Sequence, residues 1–162
     1  MVLPRALIVA AWMVIAPAVS GSANEAVRTN AQPEGMLSET ARKSMKINLT
    51  INGRAVTATL VDSAATRDFL SLLPMTLTFE DYARVEKISY LPRKLSTADA
   101  PRGTDPSVGD ITYYAPWGNL AIFYGDAPYA RGLVPLGRLD SGIDAIRAPG
   151  KLQVTIEHVE SR

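Results

Sequence analysis

The sequence predicts a mainly β domain over residues 45–160, a closed eight-stranded barrel capped by two short helices. One hairpin pattern covers residues 46–60, and a second covers residues 110–124. Some eight strand patterns and two short helix patterns fit into about 115 residues without a repeat or a second core. These observations together favour a small closed barrel.

The first hairpin has the clearest pattern. Residues 46–51 (KINLTI) alternate polar and apolar side chains, the period of a half-buried strand. Asn52-Gly53 follows, a pair favoured where both central turn residues need a positive φ. A two-residue loop then brings apolar residues of the two strands onto one face, in these pairs: Leu49 with Val56 and Ile47 with Ala58.

A helix follows the first hairpin. Asp62 or Ser63 can cap its N-terminus, and we expect it to run to about Leu73, where Pro74 ends it. Its apolar residues fall at i, i+4, i+7 and i+8, which gives one buried stripe: Ala65, Phe69, Leu72 and Leu73.

Strand patterns resume at residues 75–79 and 87–91. Residues 98–109 contain two prolines, two glycines and two aspartates, and a loop of this length is often functional. The second hairpin pairs residues 110–114 with 119–124. Its strands are apolar on both faces, so we expect them to be central and covered on both sides.

The C-terminal part completes the barrel. A strand is predicted at residues 133–139, followed by a short helix that begins at Asp140 or Ser141. The last strand alternates again, and its inward residues are Leu152, Val154 and Ile156.

The N-terminus predicts export. Arg5 and an apolar run at residues 6–19 precede small residues, which predicts a cleaved signal peptide over residues 1–23. Residues 24–44 are polar and predict a disordered linker. The mature domain is therefore expected to be periplasmic or secreted, without a membrane anchor. The alternatives are an uncleaved anchor and a true start at Met45.

Charge and cysteine content exclude several classes of partner. The sequence has 17 basic and 16 acidic residues, and removal of Arg5 with the signal peptide balances them. A neutral domain lacks the positive surface that binds nucleic acid or an anionic membrane. The sequence has no cysteine, so neither a lipid anchor on a cysteine nor a disulfide is expected.

Catalytic and metal-binding residues are scarce. His158 is the only histidine and lies in the inward phase of the last strand, near its end. Without a thiol or a well-held imidazole, neither a nucleophilic triad nor a zinc site is expected, and no nucleotide-phosphate motif occurs. Five aspartates near loops or helix starts either cap turns or include a general acid/base pair, as in a hydrolase: Asp105, Asp110, Asp126, Asp140 and Asp144.

The turn at residues 115–118 (APWG) is the most distinctive segment. Pro at its second and Gly at its fourth position favour a tight turn. Trp117 at its tip either folds back as a lid on the core or lines a pocket with nearby tyrosines. The predicted ligand-pocket residues are Tyr90, Arg93, Tyr113, Tyr114, Trp117, Phe123 and Arg138. No metal and no cofactor is expected.

The segments around these residues resemble the cyclophilin-like family, small bacterial and archaeal proteins related to the cyclophilin barrel. The resemblance covers residues 45–159. It is carried by residues 66–74 (TRDFLSLLP), 90–95 (YLPRKL), 105–111 (DPSVGDI), 113–124 (YYAPWGNLAIFY) and 136–139 (LGRL). It implies an eight-stranded barrel capped by two helices.

The resemblance also suggests a possible activity. Cyclophilins isomerise X-Pro bonds in an apolar groove, where an arginine of a Phe-His-Arg motif hydrogen-bonds the prolyl nitrogen. The counterpart here is Leu91-Pro92-Arg93, without the aromatic residue and the histidine, so Arg93 is the candidate donor for an isomerase. We expect an exported, non-catalytic module that binds a small ligand or a proline-containing peptide. The alternative is a weak peptidyl-prolyl isomerase that acts on exported proteins.

Export generates the first testable prediction. N-terminal sequencing of the protein in the envelope fraction should give a start at about residue 21 or 24, because small residues there fit signal-peptide cleavage. A cytoplasmic protein that begins at Met45 would contradict it.

Overall fold

The computed structural model describes residues 45–159, and the predicted signal peptide and linker lie outside them. The strands are β1 (Met45–Ile51), β2 (Arg54–Leu60), β3 (Met75–Tyr82), β4 (Glu86–Tyr90), β5 (Gly103–Thr104), β6 (Asp110–Tyr114), β7 (Asn119–Phe123), β8 (Ala130–Arg131), β9 (Leu133–Leu139) and β10 (Leu152–His158). The helices are α1 (Ala64–Leu70) and α2 (Ile143–Ile146). Neither helix is long and apolar enough to cross a membrane.

Eight strands form a closed antiparallel barrel in the order β1-β10-β3-β4-β7-β6-β9-β2, which confirms the predicted fold class. The first hairpin has the predicted register, since Leu49 lies opposite Val56 and Ile47 opposite Ala58. The inward side chains of β10 are also those that the sequence predicted. Within the long loop at residues 98–109, β5 pairs with β8 in a separate two-stranded sheet.

The two helices lie at opposite ends of the barrel, because α1 joins β2 to β3 and α2 joins β9 to β10. Ser63 caps α1 through a hydrogen bond from the Thr66 backbone N–H, and Phe69 is fully buried in the core. The helix ends at Leu70, earlier than predicted. Its last hydrogen bonds shift to a three-residue spacing, with Leu73 N–H donating to the Leu70 carbonyl, before Pro74 is reached.

The second helix begins later than predicted. Its N-cap is Gly142, which has a φ of 78°, and neither Asp140 nor Ser141 caps it. The Asp140 carboxylate instead accepts hydrogen bonds from the Thr57 and Thr59 hydroxyls and from Lys46 Nζ. The prediction failed because the competing donors come from β1 and β2, which are distant in sequence.

Two polar residues of β4 face the barrel interior. Lys87 and Ser89 are buried and lie opposite Ile122 and Leu120 of β7, while Ile88 faces outward opposite Ala121. The Lys87 side chain is 0% exposed, and its ammonium donates to the Gly150 carbonyl at 2.6 Å.

A carboxylate neutralises this buried ammonium. Asp81 Oδ1 lies 2.8 Å from Lys87 Nζ, and the same carboxylate accepts hydrogen bonds from the Tyr124 hydroxyl and the Gly150 N–H. The hydrogen bond from Lys87 lowers the pKa of Asp81. This network lies at the end of the barrel opposite α1. It stabilises the Lys87 ammonium, because a buried charge is stable only when it is paired and hydrogen-bonded.

Core truncation tests the fold. Phe69→Ala on α1 and Ile122→Ala on β7 should each lower the free energy of unfolding by about 2–5 kcal/mol, because both side chains are almost completely buried. Urea unfolding followed by circular dichroism measures the loss. Gln153→Ala, on the exposed face of β10, serves as the control and should change stability little. Losses below about 1 kcal/mol at both core sites would contradict the described packing.

Candidate functional site

A surface cavity of about 300 Å³ lies on the outer face of the barrel, over β4, β7, β6 and β9. We call it the outer pocket. Its floor is apolar and comprises Ile88, Phe123 and Leu133. Its rim is mainly aromatic and includes Tyr82, Tyr114, Trp117 and Tyr129, and its polar side chains other than the tyrosines are Glu86 and Asn119. The mixture of an apolar floor and a few polar groups is typical of small-molecule sites.

The Trp117 ring folds back from the hairpin tip across the outer face. It makes edge-on contacts with Tyr114 of the same hairpin, at a centroid distance of 5.4 Å, and with Tyr82 at the far end of β3, at 5.5 Å. The indole is still 46% exposed. The sequence left open whether Trp117 is a lid on the core or a pocket-lining residue. In the structure it lines the outer pocket and does not cover the core.

Backbone contacts hold the hairpin tip in this position. Gly118 has a φ of 78° and its N–H donates to the Tyr114 carbonyl at 2.9 Å, while Ala115 N–H donates to the Gly132 carbonyl at 2.9 Å. A Cβ atom at Gly132 would lie 2.9 Å from Pro116 Cδ, closer than real contacts allow. Glycine at position 132 therefore lets the tip pack against the start of β9.

The two-stranded sheet of β5 and β8 places the opposite rim. A Cβ atom at Gly103 would collide with the Ala130 carbonyl oxygen and would lie 2.7 Å from the Tyr129 hydroxyl oxygen. Because Gly103 has no side chain, the Tyr129 ring can lie across this residue of β5, next to the pocket. The otherwise irregular loop at residues 98–109 has a structural role at this site.

Glu86 is the only charged residue that lines the outer pocket. It is partly buried at the start of β4, opposite Phe123, and burial raises its pKa to about 7. Among the described residues, no lysine, arginine or histidine lies within ion-pair distance of its carboxylate. The pocket therefore contains a carboxyl group whose charge is unbalanced when it ionises.

Asn119 also lines the outer pocket. Its side chain is almost fully buried at the start of β7, and its Nδ2 donates to the Leu120 carbonyl at 3.2 Å. Its Oδ1 accepts no hydrogen bond from the described residues and has almost no accessible surface, so it is not a contact for a ligand in the pocket.

Three of the seven predicted pocket residues line the outer pocket: Tyr114, Trp117 and Phe123. Tyr113 instead points into the core, where its hydroxyl accepts a hydrogen bond from Leu95 N–H at 3.1 Å. Tyr90 is 60% exposed at the end of β4 and does not line the pocket.

The two predicted arginines also lie elsewhere. Arg93 makes a two-point contact with the Asp68 carboxylate of α1, at 2.6 and 3.0 Å, and this hydrogen bonding lowers the pKa of Asp68 to about 2. Arg138 pairs with Asp110 at 3.2 Å and lines a separate cavity of about 320 Å³. Neither guanidinium group faces the outer pocket.

Sequence reasoning did not select Tyr82, Glu86, Asn119 or Tyr129. Glu86 lies one residue before the strand predicted at residues 87–91. The alternation of Glu86, Ile88 and Tyr90 was a usable signal for an outward face, whereas nothing local connects Tyr129 with Trp117.

The described residues do not form a second candidate site around His158 or around a metal-binding cluster. His158 is exposed although it follows the inward phase of β10. Within residues 45–159, no three histidine, cysteine, aspartate or glutamate side chains cluster in a way that could hold a metal ion.

Comparisons with known proteins agree with this architecture. The profile of the cyclophilin-like family matches residues 49–157. The chain matches no curated protein sequence. The solution structure of the hypothetical protein AF2241 from Archaeoglobus fulgidus is similar, with a TM-score of 0.55 and 16% identity over 72% of this chain and 95% of that chain. McbB in complex with tryptophan has a TM-score of 0.47 and 17% identity, over 72% of this chain and 46% of McbB.

The raised pKa of Glu86 predicts a pH-dependent stability. In the unfolded chain this carboxyl titrates near 4.5, so below that pH it is protonated in both states and burial costs no ionisation energy. Between pH 4.5 and about pH 7, the unfolded chain ionises this carboxyl while the folded state keeps it protonated, so the protein loses stability relative to Glu86→Gln, and the loss levels off above about pH 7. The difference in Tm between the two proteins should therefore grow from pH 4 to pH 8. Glu157→Gln, at an exposed position of β10, is the control. A difference in Tm between Glu86→Gln and the unaltered protein that stays constant with pH would contradict the raised pKa of Glu86.

Proposed function

Because this chain belongs to the cyclophilin-like family, we propose that it is an exported, non-catalytic module that binds a small ligand in the outer pocket. The observation that supports this most directly is the pocket itself. Its floor comes from buried strand residues, so its shape exists before a ligand arrives. The Trp117 ring and the Tyr129 ring are exposed and ready to cover apolar parts of a ligand.

A small ligand fits this site better than an extended peptide. The cavity of about 300 Å³ lies at the lower end of the range of small-molecule pockets, roughly 300–1,000 Å³. Extended peptides commonly add a strand to a free sheet edge. The closed barrel has no free edge, because each of its eight strands pairs on both sides.

The position of Arg93 argues against the isomerase. A catalyst of X-Pro rotation needs a donor aimed at the prolyl nitrogen beside an apolar seat for the ring. The Arg93 guanidinium is held by Asp68 and also donates to the Ser71 hydroxyl and the Lys94 carbonyl. Its hydrogen bonds are thus directed to the protein, away from the outer pocket.

The exported location is part of the proposal and rests on the sequence of residues 1–23. Removal of that segment would also remove Trp12, which leaves Trp117 as the only tryptophan. The fluorescence of the mature protein then reports on the outer pocket alone.

Ligand capture tests the binding function. Protein purified from its native envelope should release a small molecule that mass spectrometry detects, and adding it back should change Trp117 fluorescence. Ala127→Trp places a large side chain in the outer pocket and should abolish capture, because Ala127 lines it. Ala55→Trp, at an exposed position on β2, is the matched control and should bind normally. Equal capture by both variants, or none by the unaltered protein, would refute the proposal.

An isomerase assay tests the alternative. The barrier to X-Pro rotation is about 18–20 kcal/mol, and without a free donor beside the groove we expect no acceleration over buffer in a coupled proteolysis assay. Acceleration that disappears in Arg93→Ala would favour the isomerase. Acceleration that persists in that variant would point to a different donor and would equally overturn a non-catalytic role.

A further inference from the structure

The outer pocket has an unusual balance of polar groups. The Glu86 carboxylate is a hydrogen-bond acceptor that carries a negative charge when it ionises, and no cationic side chain lines the pocket. The nearest lysine in sequence, Lys87, points into the barrel and is occupied by Asp81 and Gly150. A ligand that complements this set must bring donors and positive charge.

We infer that the outer pocket binds a small protonated amine with an apolar body. This inference rests on the proposed function and specifies the class of ligand. Glu86 lies opposite Phe123 in the register of β4 and β7, which places its carboxylate beside the apolar floor. The ammonium group pairs with Glu86, and the apolar body lies on the floor formed by Ile88, Phe123 and Leu133.

The aromatic rim favours a cation. Trp117 contacts both Tyr82 and Tyr114 at the rim of the pocket, and the faces of such rings attract an ammonium group within about 6 Å.

The environment of Glu86 is consistent with this role. An opposite charge nearby favours ionisation of a carboxyl group, so a bound ammonium would offset the desolvation that raises the pKa of Glu86. Of the titratable groups nearby, Tyr124 has its pKa raised chiefly by burial, then by Asp81 and by the charge of Glu86, and Asp81 is already paired with Lys87. No basic group of the described residues competes for Glu86.

Calorimetry with matched probes at pH 8 tests the inference, since Glu86 and a primary amine are both charged there. The probes are tyramine and 3-(4-hydroxyphenyl)propionate, in which a carboxylate replaces the amine. Tyramine should bind about tenfold more tightly than the carboxylate.

Variants test the role of Glu86. Glu86→Gln should remove most of the preference for tyramine over the carboxylate probe. Glu157→Gln should leave that preference unchanged. Circular dichroism checks that each variant is folded, and the probe series on the unaltered protein is decisive if one is not.

Equal or tighter binding of the carboxylate, or no binding of tyramine, would overturn the inference. The proposed binding function would survive either result if the envelope-purified protein still released a ligand that Ala127→Trp fails to capture. Conversely, tyramine binding that Ala127→Trp leaves unchanged would place the amine site elsewhere and overturn the inference as well.

Discussion

Strand β7 is buried along its entire length because one face closes the barrel core and the other forms the floor of the outer pocket. Leu120 and Ile122 point inward, and Ala121 and Phe123 point outward. The ladders to β4 and β6 fix both sets together, since side chains alternate with a period of two along a strand. A slip of one residue would exchange the two sets and disrupt core and pocket at once. The geometry of the site is therefore tied to the register that stabilises the barrel.

Much of the fold could be predicted because the information is local. The Asn52-Gly53 turn and the alternation on both sides of it determine the first hairpin without reference to the rest of the chain. Strand β4 could not be oriented in this way. Its Ile88 faces outward and its Lys87 inward, because the outer face is covered by loops and the ammonium meets Asp81 and Gly150 inside. Both causes lie outside the strand and are visible only after the barrel has closed.

The candidate site was only partly predictable for the same reason. The position of Trp117 in a tight turn showed that the ring needed a covered surface, but its partner Tyr82 comes from another hairpin. The two arginines looked available in the sequence, whereas Asp68 and Asp110 already neutralise them in the structure. Ion pairs between distant segments are not encoded in any local pattern, so charge alone is a poor guide to the residues of a binding site. Glu86 became recognisable through its position in the outer pocket, its partial burial and its lack of an ion-pair partner among the described residues.

The buried Lys87 has a consequence for chemical labelling. Lys46, Lys94 and Lys151 are exposed, whereas the Lys87 amine is inaccessible while the end of the barrel stays closed. An acylating reagent would modify the three exposed amines rapidly and would reach Lys87 only during openings of that end. The rate of acylation at this one position, read from a peptide mass spectrum, measures how often β3 and β4 separate from residue 150 in the native protein. The acylation rate of Lys87 thus reports the rate of barrel opening without a denaturant or an attached probe.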